Sequence, residues 1–177
     1  MRGAGRRTLR AVSAPEASHA QSAPGAVKAP GLRDAQAIAA RIAADEAAAD
    51  IARVQFAANG IPAIPPGTAF ARVARAGEAL HAVCRHAILE RAPLEGNEPV
   101  VNGGTLYLTS RRLLHVGVET TELPLSEIEE MVVALERLVL IRLRDGSDLA
   151  VEVDQPRLLR VQIAAALAAE RASAGRR

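Results

Sequence analysis

The sequence predicts an α+β protein in which a set of antiparallel strands lies between two helices. Three observations support this class. Residues 32–58 are rich in alanine and contain no Gly or Pro, which favours a helix. Alanine is then absent from residues 93–133, where residues typical of β-strands prevail. Finally, Asp145-Gly146 separates two segments in which apolar residues alternate with others, a pattern typical of a β-hairpin.

The first 31 residues are predicted to form a disordered basic tail. Residues 1–30 contain four arginines and one lysine against a single acid, Glu16, and few bulky apolar side chains. Such a composition buries too little surface to offset the entropy lost on folding. The segment also lacks the apolar core of an export signal, so we expect no export.

Residues 32–58 are predicted to form one helix, ended by Asn59-Gly60. Its apolar stripe is broken, because Asp45 and Glu46 interrupt it. Three arrangements are open: the helix docks on the folded domain, pairs with a second copy of itself, or stands in solvent. Residues 59–77 are rich in Pro and Gly and predict a linker, with a short helix or loop reaching about residue 76.

The strands are predicted from alternating or continuous apolar runs. We expect Leu106 and Leu108 on the face opposite Tyr107, and Leu149, Val151 and Val153 facing the core. The predicted segments are residues 80–91, a strand through Tyr107, 112–118, 120–125, 128–135, 137–144 and 148–154.

The last predicted element is a helix over residues 155–171, followed by a frayed tail over 172–177. Asp154 is predicted to cap its first free amides, and Pro156 suits its first turn. Leu159, Ile163 and Leu167 form an apolar stripe that can dock on a sheet.

The order of these elements resembles the pleckstrin-homology-like superfold, and particularly the bacterial PH-like and GRAM-like modules. The resemblance covers about half of the chain, and residues 78–171 are the predicted PH-like domain. It rests on the pattern G-x-L-x-L-T-x-x-R-L, beginning at Gly104, and on the segments LPLSEIEEM and RLRDG. It implies a small, bent antiparallel β-barrel of about six or seven strands, closed at one end by the C-terminal helix. Such modules bind lipids, peptides or partner domains.

Three arginines are candidate ligand contacts: Arg91, Arg111 and Arg112. In the phosphoinositide-binding relatives, basic residues cluster at the end of the first strand and in the loop after it. The corresponding loop here, residues 92–104, contains two glutamates and no basic residue. We therefore expect Arg112 to lay its stem along the barrel and to pair with an acid, so that the arginine pair marks a turn rather than a site.

The sequence contains no recognisable catalytic motif or metal-ligand spacing. On a strand, His81 and His86 would point to opposite faces, and Cys84 with His86 is two ligands short of a zinc site. The cluster of Glu127, Glu129 and Glu130 is interpreted as a solvated strand edge. We expect no catalytic residue, no metal and no cofactor.

Charge and composition then limit the function. Residues 78–170 contain nine arginines and fifteen acids, a net charge of −6, which disfavours phosphate backbones and anionic lipid headgroups. Aromatic residues make up only 2% of the chain, which disfavours specific nucleic-acid binding. We therefore expect a cytoplasmic, non-enzymatic protein-binding module, with self-association through residues 32–58 as one possibility. The alternative is a peripheral membrane protein at the inner face, which would use the basic tail and a weak barrel contact with anionic lipid.

Overall fold

A computed structural model describes residues 31–91 and 100–175 of the chain. The predicted disordered tail, apart from Gly31, and most of the loop that follows the first strand lie outside the described residues.

Residues 31–91 and 100–175 fold into three α-helices, seven strands and one 3-10 turn, and the bounds agree closely with the sequence predictions. Helix α1 follows the predicted alanine-rich segment, and a four-residue helix α2 lies in the linker. The elements are α1 Leu32–Asn59, α2 Thr68–Ala71, β1 Leu80–Arg91, β2 Val100–Thr109, β3 Arg112–Gly117, β4 Thr120–Pro124, the 3-10 turn Leu125–Glu127, β5 Ile128–Ala134, β6 Leu138–Leu143, β7 Asp148–Glu152 and α3 Pro156–Ala174.

Helix α3 is longer than predicted. It continues through residues 172–174, which the sequence had assigned to a frayed tail, and its last turn contains Arg171. Alanine is the best helix former, so the small residues 172–174 can continue the helix. The positive charge of Arg171 in the last turn also interacts favourably with the helix dipole.

The seven strands form one antiparallel sheet in the order β4-β3-β2-β1-β7-β6-β5. The α+β class and the C-terminal helix packed on an antiparallel sheet are confirmed. The edge strands β4 and β5 are not paired with each other among the described residues, so the sheet is open rather than a hydrogen-bonded closed barrel.

The main core fills the inner face of the sheet, where α3 packs. The predicted alternation is confirmed: Val139, Ile141 and Leu143 of β6 are buried there. Leu149, Val151 and Val153 of the next hairpin arm are buried with them, as are the α3 residues Leu159, Ile163 and Leu167.

A second, smaller core lies on the outer face of the β1–β2 hairpin. Tyr107 packs there with Phe70 of α2, their ring centroids 5.4 Å apart, and with Leu80 and Leu114. The predicted linker thus covers part of the sheet through Phe70.

Strands β2 and β3 approach each other closely at two glycines. A Cβ on Gly104 would lie 2.2 Å from the carbonyl oxygen of Val116, and one on Gly117 would lie 2.4 Å from the Asn102 side chain. These two positions face each other in the sheet register, so Gly104 of the sequence pattern is needed because any side chain there would clash with backbone.

Helix α1 docks on α3 through a buried acid. The Asp45 carboxylate, 2% exposed as a residue, accepts hydrogen bonds from the amides of Arg157 at 2.9 Å and Leu158 at 3.0 Å. The prediction that Asp154 caps α3 is therefore wrong: the side chain of Asp154 pairs with Arg137 instead. Asp45 supplies from another helix the acceptor that an N-cap side chain normally supplies.

Candidate functional site

The three candidate arginines do not form one site. Arg91 pairs with Val100 at one end of the β1–β2 hairpin. Arg111 and Arg112 follow Thr109, which pairs with Leu80 at the other end. Arg111 and Arg112 are adjacent in sequence, but one is exposed and the other is 2% exposed.

Arg112 is the centre of a buried ion-pair network. Its guanidinium donates two hydrogen bonds to the Glu78 carboxylate, at 2.8 and 2.9 Å, and a third to the carbonyl oxygen of Val73. It also pairs with Glu122, which in turn contacts Arg75. Arg112 therefore pairs with acids, as we expected from the sequence. Its guanidinium N–H groups donate to other groups of the protein.

The network fixes the charge states of its members. Burial raises the pKa of Glu78, but hydrogen bonds from the Arg112 guanidinium, the Arg75 amide and the Thr109 hydroxyl outweigh burial and lower that pKa from 4.5 to about 2. The hydrogen bond with Glu78 raises the pKa of Arg112 above its ordinary value, against the effect of burial. Both groups are charged at neutral pH, so the network holds the β2–β3 turn against the linker.

Arg111 lies in a separate cleft of about 580 Å³ between the β2–β3 turn and the end of α3. His81 and Ser110 line the same cleft, but so does Glu170. The guanidinium of Arg111 makes no ion pair within the described residues. A carboxylate and the carbonyl end of a helix beside it make this cleft a poor site for an anion.

A larger cleft lies along β1. Strand β1 pairs with β2 over its whole length, but with β7 only from Ile88 to Arg91. The linker covers the start of β1, because the Ile64 amide donates to the carbonyl oxygen of Leu80 and the His81 ring contacts that of Pro62. Residues 82–87 of β1 therefore have no strand partner on the β7 side within the described part of the chain.

This open edge faces a cleft of about 1210 Å³, which we call the β1 cleft. Its floor is the outer face of β1 and β2, one wall is the linker with α2, and the other is the segment that joins β7 to α3. The side chains and backbone that line it come from Pro65, Gly67, Ala69, Phe70, Leu80, residues 83–88, Gly103, Gly104, Thr105, Tyr107, Val153, Asp154 and Gln155.

A β-bulge reshapes β1 within this cleft. Cys84 is opposite Leu106 and Ala87 is opposite Gly104, so two residues, Arg85 and His86, face the single residue Thr105. His86 takes a φ of 58°, a left-handed conformation uncommon for a residue with a side chain. Bulges and strained backbone of this kind often lie beside functional sites.

The bulge also separates Cys84 from the histidines. Cys84 is half-buried and packs against the main core, whereas His86 is exposed, so these two side chains are not placed together. Burial, together with the nearby charge of Asp154, raises the pKa of the Cys84 thiol to about 11. The thiol is therefore protonated at neutral pH and is a weak nucleophile.

The other features that the sequence analysis considered do not form a metal-binding cluster within the described residues. Glu127, Glu129 and Glu130 are exposed, as a solvated strand edge requires. Within residues 31–91 and 100–175, no group of three His, Cys, Asp or Glu side chains is placed to hold a metal ion. No helix of this part of the chain is long and apolar enough to span a membrane.

The sequence analysis missed the β1 cleft and the bulge that shapes it. Neither has a clear sequence signal: a bulge of this type usually contains a glycine at the left-handed position, and this one has His86. The early end of the β1–β7 pairing depends on where β7 turns into α3, a tertiary feature. A weak signal did exist, since Arg85-His86 places two polar residues in succession in the middle of a strand whose neighbouring residues, 82–84 and 87–89, are apolar.

No protein-family model matches the sequence, and no curated protein matches it. Among solved structures, the chain is similar to the C-terminal domain of an unknown protein from Leishmania infantum, with 14% sequence identity and a TM-score of 0.40. The match covers 55% of this chain and 91% of that one.

Proposed function

We propose that the protein is a non-enzymatic interaction module that binds an extended segment of a partner protein along the open edge of β1. The observation that carries this proposal is the absence of a β7 partner for residues 82–87 within the described chain, where residues 83–87 line the β1 cleft. The edge residues before the bulge, 82–84, present amides and carbonyl groups in the spacing of a β-ladder, so an added strand can form main-chain hydrogen bonds there without any change of fold.

The cleft has room for such a segment. Its volume of about 1210 Å³ exceeds the upper end of ordinary small-molecule pockets, about 1,000 Å³, and its shape is that of an open trough beside a strand. Gly103 has no atom within 4 Å of where a Cβ would lie, so the floor there is free of side chains. Alternate side chains of a bound strand can thus lie over Gly103 and Gly104, which line the cleft.

The charges of the cleft favour an acidic partner. Arg85 and His86 are exposed in the bulge, and Arg85 makes no ion pair within the described residues. Asp154 on the opposite wall already pairs with Arg137, which reduces its repulsion of an acid. A glutamate or aspartate in the partner segment would find a guanidinium that is not already paired with a carboxylate.

A binding role also suits the chemistry of the cleft. Its thiol, Cys84, has a pKa of about 11 and is therefore mostly protonated near pH 7. His86, the cleft's histidine, is exposed on the far side of the bulge from that thiol. The two do not form the hydrogen-bonded pair that activates a cysteine nucleophile.

The experiment is selection of linear peptides from a random display library on the full-length chain, followed by calorimetric titration and NMR shift mapping with a selected peptide. We expect acidic peptides that perturb the amides of residues 82–87. Arg85→Glu should weaken binding by about tenfold or more, since it replaces attraction by repulsion. The matched control is Arg111→Glu, the same charge reversal at an exposed arginine in the other cleft, which should leave the affinity unchanged.

Three results would overturn the proposal. One is the recovery of no peptide that binds. Another is shift changes that map away from β1. The third is binding of the chain to phosphatidylserine-containing vesicles that Arg111→Glu abolishes and Arg85→Glu does not, which would favour the lipid-binding alternative.

A further inference from the structure

The inner face of the sheet buries a histidine that lies outside the β1 cleft. His115 of β3 is 1% exposed. The residues that line a small internal cavity with it are mostly apolar: Leu89, Leu106, Leu113, Thr121, Leu123, Leu149 and Val151. An apolar side chain of similar size would suit these surroundings better than an imidazole ring does.

The His115 ring donates one hydrogen bond, to the backbone of β1. Its Nε2 atom lies 3.2 Å from the carbonyl oxygen of Ala87, a residue that is also buried. Because a carbonyl oxygen can only accept, Nε2 carries the hydrogen, and Nδ1 of the neutral ring is an acceptor. That Nδ1 atom has no hydrogen-bond partner within the described residues. A buried acceptor without a partner destabilises the folded state, so the stability of the core does not account for the imidazole.

The hydrogen bond from His115 ends beside the bulge of β1. Strands β1 and β3 are not neighbours, because β2 lies between them, and the ring therefore bridges across β2. Ala87 directly follows the bulged pair Arg85 and His86, and Ile88 is the first residue of β1 that pairs with β7. His115 thus holds β1 at the point where its open edge ends.

The bulge needs such support because its backbone is strained. His86 takes a φ of 58°, and backbone in uncommon conformations persists only where the surrounding contacts determine it. The side chains of Arg85 and His86 are exposed and contribute little packing of their own. The neighbouring Ala87 is held by its packing in the main core and by the hydrogen bond from His115.

We propose that His115 is a positioning residue of the β1 cleft, whose hydrogen bond to Ala87 fixes the bulge and so directs Arg85 toward a bound segment. This role rests on the proposed function, since the position of Arg85 matters only if a partner binds there. It also accounts for an imidazole with an unpartnered nitrogen in an apolar core.

The structural test compares His115→Gln with His115→Met by NMR on the full-length chain. Gln can place an amide N–H near the position of Nε2, whereas Met is of similar length and has no donor. In His115→Met, we expect the Cα and Cβ shifts and the HN–Hα coupling of His86 to leave the values of a positive φ; His115→Gln should keep them. The control is Leu113→Met, a change at a buried residue of the same strand and cavity, which should leave His86 unchanged.

Binding and stability together give a readout that a merely structural role would not produce. The selected acidic peptide should bind His115→Met about tenfold more weakly, because the bulge is no longer preorganised, and should bind His115→Gln as it binds the wild type. The urea midpoint of His115→Met should stay close to that of the wild type, since an apolar side chain in an apolar core offsets the lost hydrogen bond.

The proposal and the proposed function fail in different ways. If the peptide binds the wild type but His115→Met leaves the φ of His86 or the affinity unchanged, His115 does not position the cleft. Weaker binding matched by an equally large loss of stability would also contradict the positioning role. If no peptide binds the wild type, the proposed function itself is wrong, and the His86 shifts still decide whether His115 holds the bulge.

Discussion

The Arg112 network and the β1 cleft lie in the same antiparallel sheet, but they differ in how completely their polar groups are paired. Arg112 is 2% exposed and donates to two carboxylates and a carbonyl oxygen. Arg85 is exposed and forms no ion pair within the described residues, beside an edge of β1 that no strand covers there. The difference suggests that the first arginine stabilises the fold and that the second is available to a partner.

The largest effect should follow from breaking the Arg112 network. Arg112→Ala leaves the buried carboxylate of Glu78 without its counter-charge, which typically costs roughly 3–5 kcal/mol of unfolding free energy. Urea denaturation followed by circular dichroism measures the loss. The control is Arg85→Ala, at an exposed position, which should change the unfolding free energy by less than about 0.5 kcal/mol. Equal losses of stability in the two variants would contradict the difference between the two arginines.

The pH dependence of stability sharpens the same comparison. The pKa of Glu78 is lowered from 4.5 to about 2 in the folded protein, so its stabilising effect is fully present above pH 4.5 and is lost as the pH falls toward 2. Denaturation curves of the wild type and of Glu78→Gln should therefore converge as the pH falls through this window. A constant difference between the two proteins from pH 7 to pH 3 would show that the Glu78 carboxylate is not specifically stabilised.

A smaller effect is expected at the contact between α1 and α3. Asp45→Ala removes the acceptor of two buried amides at the start of α3 and should cost about 1–2 kcal/mol. The control is Asp154→Ala, which removes an acid 73% exposed at its side chain and engaged in a surface ion pair, and should cost less than about 0.5 kcal/mol. The reverse order of the two losses would mean that Asp154, as the sequence predicted, is the cap.

Most of the fold could be predicted because local patterns determine it. Strand β7 alternates strictly, so Leu149 and Val151 could be assigned to the core from sequence alone. The Asp145-Gly146 pair also predicted a hairpin turn. The structure confirms it, because the glycine takes a φ of 83°, the left-handed conformation that such a turn needs. Here propensity, alternation and burial agree, and the prediction is confirmed.

Helix α1 shows where such reasoning fails. Asp45 seemed to interrupt an apolar stripe, but it is buried because its carboxylate satisfies the amides of a distant helix. The docked face uses Ala49 and Ala52, while the bulkier Ile51 and Val54 stay exposed. A short acid that finds buried donors, and alanines that allow close helix approach, cannot be recognised from the hydrophobicity of one segment.

The candidate site could be predicted even less. Arg111 and Arg112 attracted attention because they are adjacent and basic, whereas the β1 cleft depends on the length of the β1–β7 pairing and on a bulge at His86. Both are properties of the assembled sheet, because they depend on which strands pair along β1 and where that pairing ends.

Hydrogen exchange of the β1 amides, measured by NMR on the full-length chain, tests the central claim most directly. Among residues 82–87, the amides that point away from β2 should exchange much faster than those of Ile88 to Arg91, which lie between two strands. A selected acidic peptide should then slow their exchange. Uniformly slow exchange along the whole of β1 in the free protein, unchanged by the peptide, would show that the edge is already covered and would contradict the account.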